Sequence, residues 1–178
     1  MKSFMKYTSQ TLLSVFAVGA LLATIGACSP AQAGALTDYA ENKIIDCSMR
    51  AQSCGFPATW YIGLSTATCS DAGNGTEPSG GAYARVAVTS SLANWAGTQS
   101  AGSTTASSGT GGTTSNNSTI TFPESTASWG TVQSVLWYDA STSGNAWVCI
   151  NLSTTFNVSA AGITVRFPNG TLQFQVDN

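Results

Sequence analysis

Residues 163–176 read ITVRFPNGTLQFQV. Ile163, Val165 and Phe167 alternate with Thr164 and Arg166. Leu172, Phe174 and Val176 alternate with Gln173 and Gln175. Successive side chains of a strand point to opposite faces, so each run has one apolar face to bury and one face for water or a neighbour. Between the runs stands Pro168-Asn169-Gly170. Asn-Gly is a favoured two-residue hairpin turn because both residues tolerate positive φ. The spacing predicts a β-hairpin at the end of the chain and a mainly β fold around it.

Upstream segments repeat the pattern. Thr59–Thr68 (TWYIGLSTAT), Tyr83–Thr89 (YARVAVT), Ser118–Phe122 (STITF), Val132–Tyr138 (VQSVLWY) and Ala146–Leu152 (AWVCINL) are short and rich in β-branched and aromatic residues. Gly-, Ser-, Asn- and Pro-rich turns separate them, as expected of an antiparallel sheet protein. Residues 35–50 (ALTDYAENKIIDCSMR) read differently. Thr37 suits an N-cap, and Asp38 and Glu41 favour the positive end of a helix dipole. Tyr39, Ile44, Ile45 and Met49 form a predicted apolar stripe. Gly55 and Pro57 end this helical region.

Residues 97–118 (GTQSAGSTTASSGTGGTTSNNS) contain no charge and nothing larger than Gln. Such a stretch buries too little apolar surface to offset the entropy of ordering. It reads as a long mobile loop inside one domain. A neutral insertion explains it more simply than an exposed contact or glycan-bearing loop.

Residues 1–34 carry a different message. Lys2 and Lys6 precede a 16-residue apolar run, Leu12–Ala27, and Ala31-Gln32-Ala33 offers a small-x-small cleavage pattern. The run is short for a membrane span, which needs about 20 residues. The segment reads as an export signal. Within it, Ile25-Gly26-Ala27-Cys28 also fits a lipobox, in which Cys28 would be lipidated. Free secretion after Ala33 and lipid anchoring through Cys28 both stay open. Either leaves Cys47, Cys54, Cys69 and Cys149, an even set compatible with two bridges in an oxidising compartment. Four cysteines allow three pairings; Cys47–Cys54 at the helix-to-strand corner and Cys69–Cys149 between strands is the expectation.

Composition narrows the function. Beyond residue 34 there are four basic residues (Lys43, Arg50, Arg85, Arg166) and eight acidic ones, a net charge of −4. No basic patch exists to neutralise phosphates, which argues against nucleic-acid binding. The chain has no histidine, which removes Ser-His-Asp and Cys-His catalysis and most zinc sites. The expectation is a protein that is not an enzyme and has no cofactor and no metal site.

Weaker candidates are set against plainer readings. Asp71-Ala-Gly-Asn-Gly-Thr-Glu77 has a faint calcium-loop look, yet acidic Gly-rich turns are common. Glu77, Glu124 and Asp139 would be the acids of a glycosidase, which needs two carboxyls about 5–10 Å apart; all three sit beside turns, where solvated acids are ordinary. Of Trp60, Trp95, Trp129, Trp137 and Trp147, Trp137 and Trp147 fall in strands and read as core or sheet-face residues. Trp95 borders the loop and is the expected exposed glycan contact. The Asn-x-Ser/Thr triplets at Asn74, Asn151 and Asn169 arise readily in so Ser/Thr-rich a chain and carry no weight.

Four blocks carry a resemblance: LTDYAENKIID (36–46), PATWYIGLST (57–66), GTEPSGGAYARVAVT (75–89) and ITFPESTASWGTVQSVLWYDASTSGN (120–145). In this order and spacing they resemble a family of small phage structural proteins labelled tail-fibre-like. The resemblance implies a compact β-sandwich-like virion component with no catalytic residues, which works by self-association or by contact with a host surface. The signal and the paired cysteines depart from a protein assembled inside its host. They suit an exported surface or filament subunit, whereas a virion protein would need the N-terminus only to mimic a signal.

The expected fold is therefore a single-domain antiparallel β-sandwich of about 7–8 strands with one N-terminal helix over residues 35–178. The expected partner is a second copy of the chain, with a cell-surface glycan as the alternative; membrane contact would come only through a lipid at Cys28. The expected location is extracellular or on the outer cell surface, with periplasm, lipid anchoring and the virion as variants.

Overall fold

The computed structural model describes residues 36–97, 106–108 and 111–176. The expected export signal over residues 1–34 and the lipobox reading at Cys28 lie outside the described residues. The fold is mainly β, with eight strands in antiparallel sheets and one helix among the described residues.

Helix α1 spans Asp38–Met49, and Thr37 caps it by accepting a hydrogen bond from the Ala40 amide at 3.3 Å. The same hydroxyl donates to the Ala146 carbonyl at 2.6 Å. One buried side chain thus starts the helix and fixes it to the sheet. The expected apolar stripe is not what holds α1. Ile45 and Met49 are 53% and 84% exposed. The helix docks through its first turn instead: Leu36 bridges Val148, Tyr39 meets Trp147 edge-to-face at 5.3 Å, and Ala40 is fully buried.

The main sheet has four strands in the order β2-β1-β5-β6. These are β1 (Thr59–Ser65), β2 (Val86–Thr89), β5 (Gly130–Tyr138) and β6 (Ala146–Val158). Two short pairs complete the fold: β3 (Thr113–Ser115) with β8 (Gln173–Gln175), and β4 (Ile120–Thr121) with β7 (Arg166–Phe167). Register places Ile62 opposite Trp137, and Trp137 opposite Val148. That face of the sheet packs with Ile120, Phe122, Val165, Phe167 and Leu172 from the short pairs and their flanks to form the main core. Leu136, Tyr138, Ala146 and Cys149 form a smaller cluster with Tyr61 and Cys69. Strand β6 runs to Val158, beyond the expected Leu152, through a register shift opposite Val132–Ser134.

The C-terminal hairpin does not form. Strand β7 pairs with β4 and β8 with β3, not with each other. A turn is present, with the Thr171 amide donating to the Pro168 carbonyl at 3.1 Å. Gly170 has φ of 76°, but Asn169 is not among the positive-φ residues. The primed turn that matches strand twist needs positive φ at both central residues; an unprimed turn splays its strands.

Asn116 fills the splay. It is 1% exposed. Its Nδ2 donates to the Pro168 and Ser118 carbonyls at 2.8 Å, and its Oδ1 accepts from the Leu172 amide at 2.9 Å. Its backbone carbonyl accepts from the Gly170 amide at 2.7 Å. The side chain takes the place of a ladder between the two runs.

Asn116 and β3 both lie in the stretch read as a mobile loop, so residues 113–116 correct that reading. Composition hid them because Thr, Ser and Asn contribute here through hydrogen bonds and not through apolar area. Replacing Asn116 with Ala is expected to lower stability by about 2–3 kcal/mol, because buried backbone groups lose their partners. Urea unfolding would measure it; a loss within about 0.5 kcal/mol would match an ordinary surface site and contradict this role.

Candidate functional site

Two places gather chemistry-bearing side chains. The first is a polar cluster on β1 and β5. Gly63, in the middle of β1, has no side chain, and this lets the cluster approach the sheet backbone. A Cβ there would lie 2.7 Å from the Tyr138 ring and 2.9 Å from Glu77 Oε1.

Arg85 is the centre of the cluster. Its Nε and one terminal nitrogen donate to the two Glu77 carboxylate oxygens at 2.9 and 2.5 Å. Its other nitrogen donates to the Ala140 and Ser143 carbonyls at 2.7 and 2.8 Å. The guanidinium lies over the Tyr138 ring, 3.3 Å from its centroid. Tyr83 donates to Glu77 at 2.7 Å, and Tyr138 donates to the Asn74 carbonyl. The cluster ties the 66–85 segment to the 139–145 turn.

The electrostatics follow from burial. Burial raises the Tyr83 hydroxyl well above the usual tyrosine range, and its hydrogen bond to Glu77 adds to this. Burial likewise raises Tyr138. Burial alone would lower Arg85, but the Glu77 carboxylate outweighs it and raises the guanidinium. Tyrosines raised in the folded state contribute stability that is fully present below their unfolded value and is lost as pH rises. Stability is therefore expected to decline from about pH 10 upward, with Tyr83 and Tyr138 ionising as the fold opens. Absorbance titration of tyrosinate alongside circular dichroism checks this; ionisation of all five tyrosines with the fold intact would contradict it.

This arrangement holds the chain together, and it engages two of the three acids that the glycosidase reading named. Glu77, a candidate in both the calcium and the glycosidase readings, is bound to Arg85 and Tyr83. Asp139 accepts from the Asn145 amide at 2.8 Å and from the Trp147 indole at 3.3 Å. Burial would raise its carboxyl, but the Asn145 and Trp147 hydrogen bonds outweigh it and lower it. A catalytic proton donor needs the opposite shift. Glu124 stands exposed. Among the described residues no cluster of three or more His, Cys, Asp or Glu could hold a metal ion. The four cysteines are joined as Cys47–Cys54 and Cys69–Cys149.

The second place is aromatic. A partly open cavity of about 270 Å³ is lined by Trp60, Trp95, Thr114, Trp137, Val148 and Phe174. The main sheet supplies Trp60, Trp137 and Val148, and the β3–β8 pair supplies Thr114 and Phe174. Trp95 lies beside them, bridged to Asn116 and tilted against Trp137 at 6.2 Å between centroids. Expected to be exposed, Trp95 is instead half-buried. Its Nε1 is buried and has no hydrogen-bond partner. Trp129 and Trp147 are both buried, and their indoles donate to Gly81 and Asp139.

Sequence reasoning missed the Arg85 cluster and the company Trp95 keeps. Gly63 within an otherwise apolar strand was the available signal for close approach at the first. Nothing local marks the second, because its walls come from six separate segments.

The described domain is thus a small antiparallel sheet protein with two cystines and a matched Arg85–Glu77 pair. The family model described as Podophage GP4 fiber I protein gp80 matches residues 35–175. The chain belongs to that phage fibre family. No curated protein matches it.

Proposed function

We propose that this chain is a non-enzymatic structural subunit of the fibre kind, which works by associating with further copies of itself. The observation that carries this reading is the fibre-family match over nearly the whole described chain. The absence of histidine and the internal partners of Glu77 and Asp139 support a role without catalysis. The charge-poor, Ser/Thr-rich exterior supports association, since little charge repulsion keeps copies apart.

Two settings suit such a subunit. The leader-like N-terminus and the two cystines favour export to the cell surface, as a surface or filament protein. The family favours a virion. Intact mass of protein from its natural source separates them. Cleavage after Ala33, or a lipid at Cys28, supports export; retention of Met1 with reduced thiols supports virion assembly in the cytosol.

Association itself is tested by size-exclusion chromatography and electron microscopy of the purified protein. The expected species is larger than the 18.2 kDa chain. A protein that remains strictly monomeric at high concentration overturns the proposal.

A further inference from the structure

We propose that a second copy of the chain pairs antiparallel with the outer edge of β6, about a two-fold axis at Thr154. The inference rests on the association reading and names the surface through which it works. Strand β6 is an edge of the main sheet and, at 13 residues, its longest strand. An edge strand presents unpaired N–H and C=O groups, and proteins ordinarily blunt it with Lys, Pro, short length or a covering element. Residues 146–158 contain no charge and no proline. Only the start of this edge is covered: Leu36 bridges Val148, and the Thr37 amide donates to the Trp147 carbonyl at 3.0 Å. Among the described residues no strand pairs with the outer side of residues 150–158. The opposite edge offers less. Strand β2 has four residues, and its Thr89 carbonyl already accepts from Asn94 Nδ2 at 3.0 Å.

The sequence of the open part selects its own copy. Residues 150–158, INLSTTFNV, are palindromic in chemical character about Thr154. Ser153 and Thr155 carry hydroxyls, Leu152 and Phe156 are large and apolar, Asn151 and Asn157 are identical, and Ile150 and Val158 are β-branched. In an antiparallel pair centred on Thr154 each residue meets its counterpart. Asn151 stands opposite Asn157 and Ser153 opposite Thr155 on the exposed face, with Leu152 opposite Phe156 on the core side. Matched cross-strand pairs stabilise a sheet, whereas like charges directly opposite destabilise it. Two-fold pairing sets a charge at the axis against its own copy, so an uncharged palindrome suits it.

The residues are also accessible. Asn151, Ser153, Thr154, Thr155 and Asn157 are all exposed. Asn151 Oδ1 is held by the Cys69 amide at 2.8 Å, which leaves its Nδ2 to donate. The ladder to β5 breaks in this stretch. Val132 pairs with Phe156 and Ser134 with Asn151, so residues 152–155 have no partner in register on β5. The backbone of the exposed residues 153–155 is left for water in the single chain and for a second strand in the pair.

The test is sedimentation equilibrium of the full-length protein from about 1 µM to 1 mM, a range that spans micromolar to millimolar affinities. An edge pair buries little area, so the wild type is expected to dimerise within that range. Thr154→Lys sets two cations against each other at the axis and is expected to weaken the dimer about tenfold; Thr154→Glu is expected to do the same. An equimolar mixture of the two is expected to associate again, because each cation then faces an anion. That rescue reports the two-fold register, which loss of folding would not reproduce. Thr121→Lys, also at an exposed position, is expected to associate like the wild type. Should the Thr154 variants fail to fold by circular dichroism, Thr155→Lys and Ser153→Glu, which face each other across the pair, take their place with the same loss and rescue expected.

If the folded variants dimerise like a wild type that does associate, or if mixing them restores nothing, the inference falls while the association reading stands. Equal weakening by Thr121→Lys would assign the loss to charge and not to position, and would also overturn it. A wild type that stays monomeric throughout overturns both.

Discussion

Replacing Arg85 with Met is expected to lower stability by about 3 kcal/mol, and the melting temperature by about 10 °C. The Arg85 side chain is 6% exposed, and its Glu77 partner is 25% exposed. Removing the guanidinium leaves a largely buried carboxylate unmatched. It also frees the Ala140 and Ser143 carbonyls and uncovers the Tyr138 ring. Breaking a fully buried pair costs about 3–5 kcal/mol. The lower end applies because Glu77 keeps some water.

Arg85→Lys is expected to lose about 2 kcal/mol, because a point charge cannot reproduce two parallel bonds to one carboxylate. The double variant Arg85→Met with Glu77→Leu is expected to recover much of the loss, since both charges then go. Urea unfolding of the four proteins tests the cycle. A double variant no more stable than Arg85→Met would show that Glu77 is not the group left stranded.

Removing the Cys69–Cys149 bridge by paired Ala substitutions is expected to lower stability by about 4 kcal/mol. Its partners lie 80 residues apart, so the bridge constrains most of the unfolded domain. The Cys47–Cys54 bridge spans only 7 residues, and its removal is expected to cost about 2 kcal/mol. The first bridge also brings Cys69 to β6, where its amide donates to Asn151 Oδ1 at 2.8 Å. Thermal melting of the two paired variants measures the contrast. Equal losses would refute an account based on loop length.

Strand identity was largely legible from local sequence. The segments β1, β5 and β6 announce themselves because they carry enough Val, Ile, Leu and Trp to demand burial. The helix was legible through Thr37, Asp38 and Glu41, whose effects on a helix terminus are local. Its docking was not. Tyr39, Ile44, Ile45 and Met49 are equally apolar on paper, and only the position of Trp147 decides that Tyr39 is covered while Met49 is not. The 113–116 segment was hidden for a related reason: Asn116 matters through the carbonyls of Ser118 and Pro168 and the amide of Leu172, and no composition rule shows where those will be.

By itself the sequence determined a chain rich in short apolar strands, poor in charge, without histidine, and with four cysteines able to pair beyond its leader-like N-terminus. These follow from residue chemistry, which each position carries wherever it lies. Only the tertiary structure decided that ITVRF and TLQFQV part company, that Glu77 answers to Arg85 and not to a metal or substrate, and that Trp95 meets Trp137 across a cavity. Each of these depends on which distant segment is close enough to satisfy a donor, match a charge or cover a ring. Proximity of that kind is set by the packing of the whole domain.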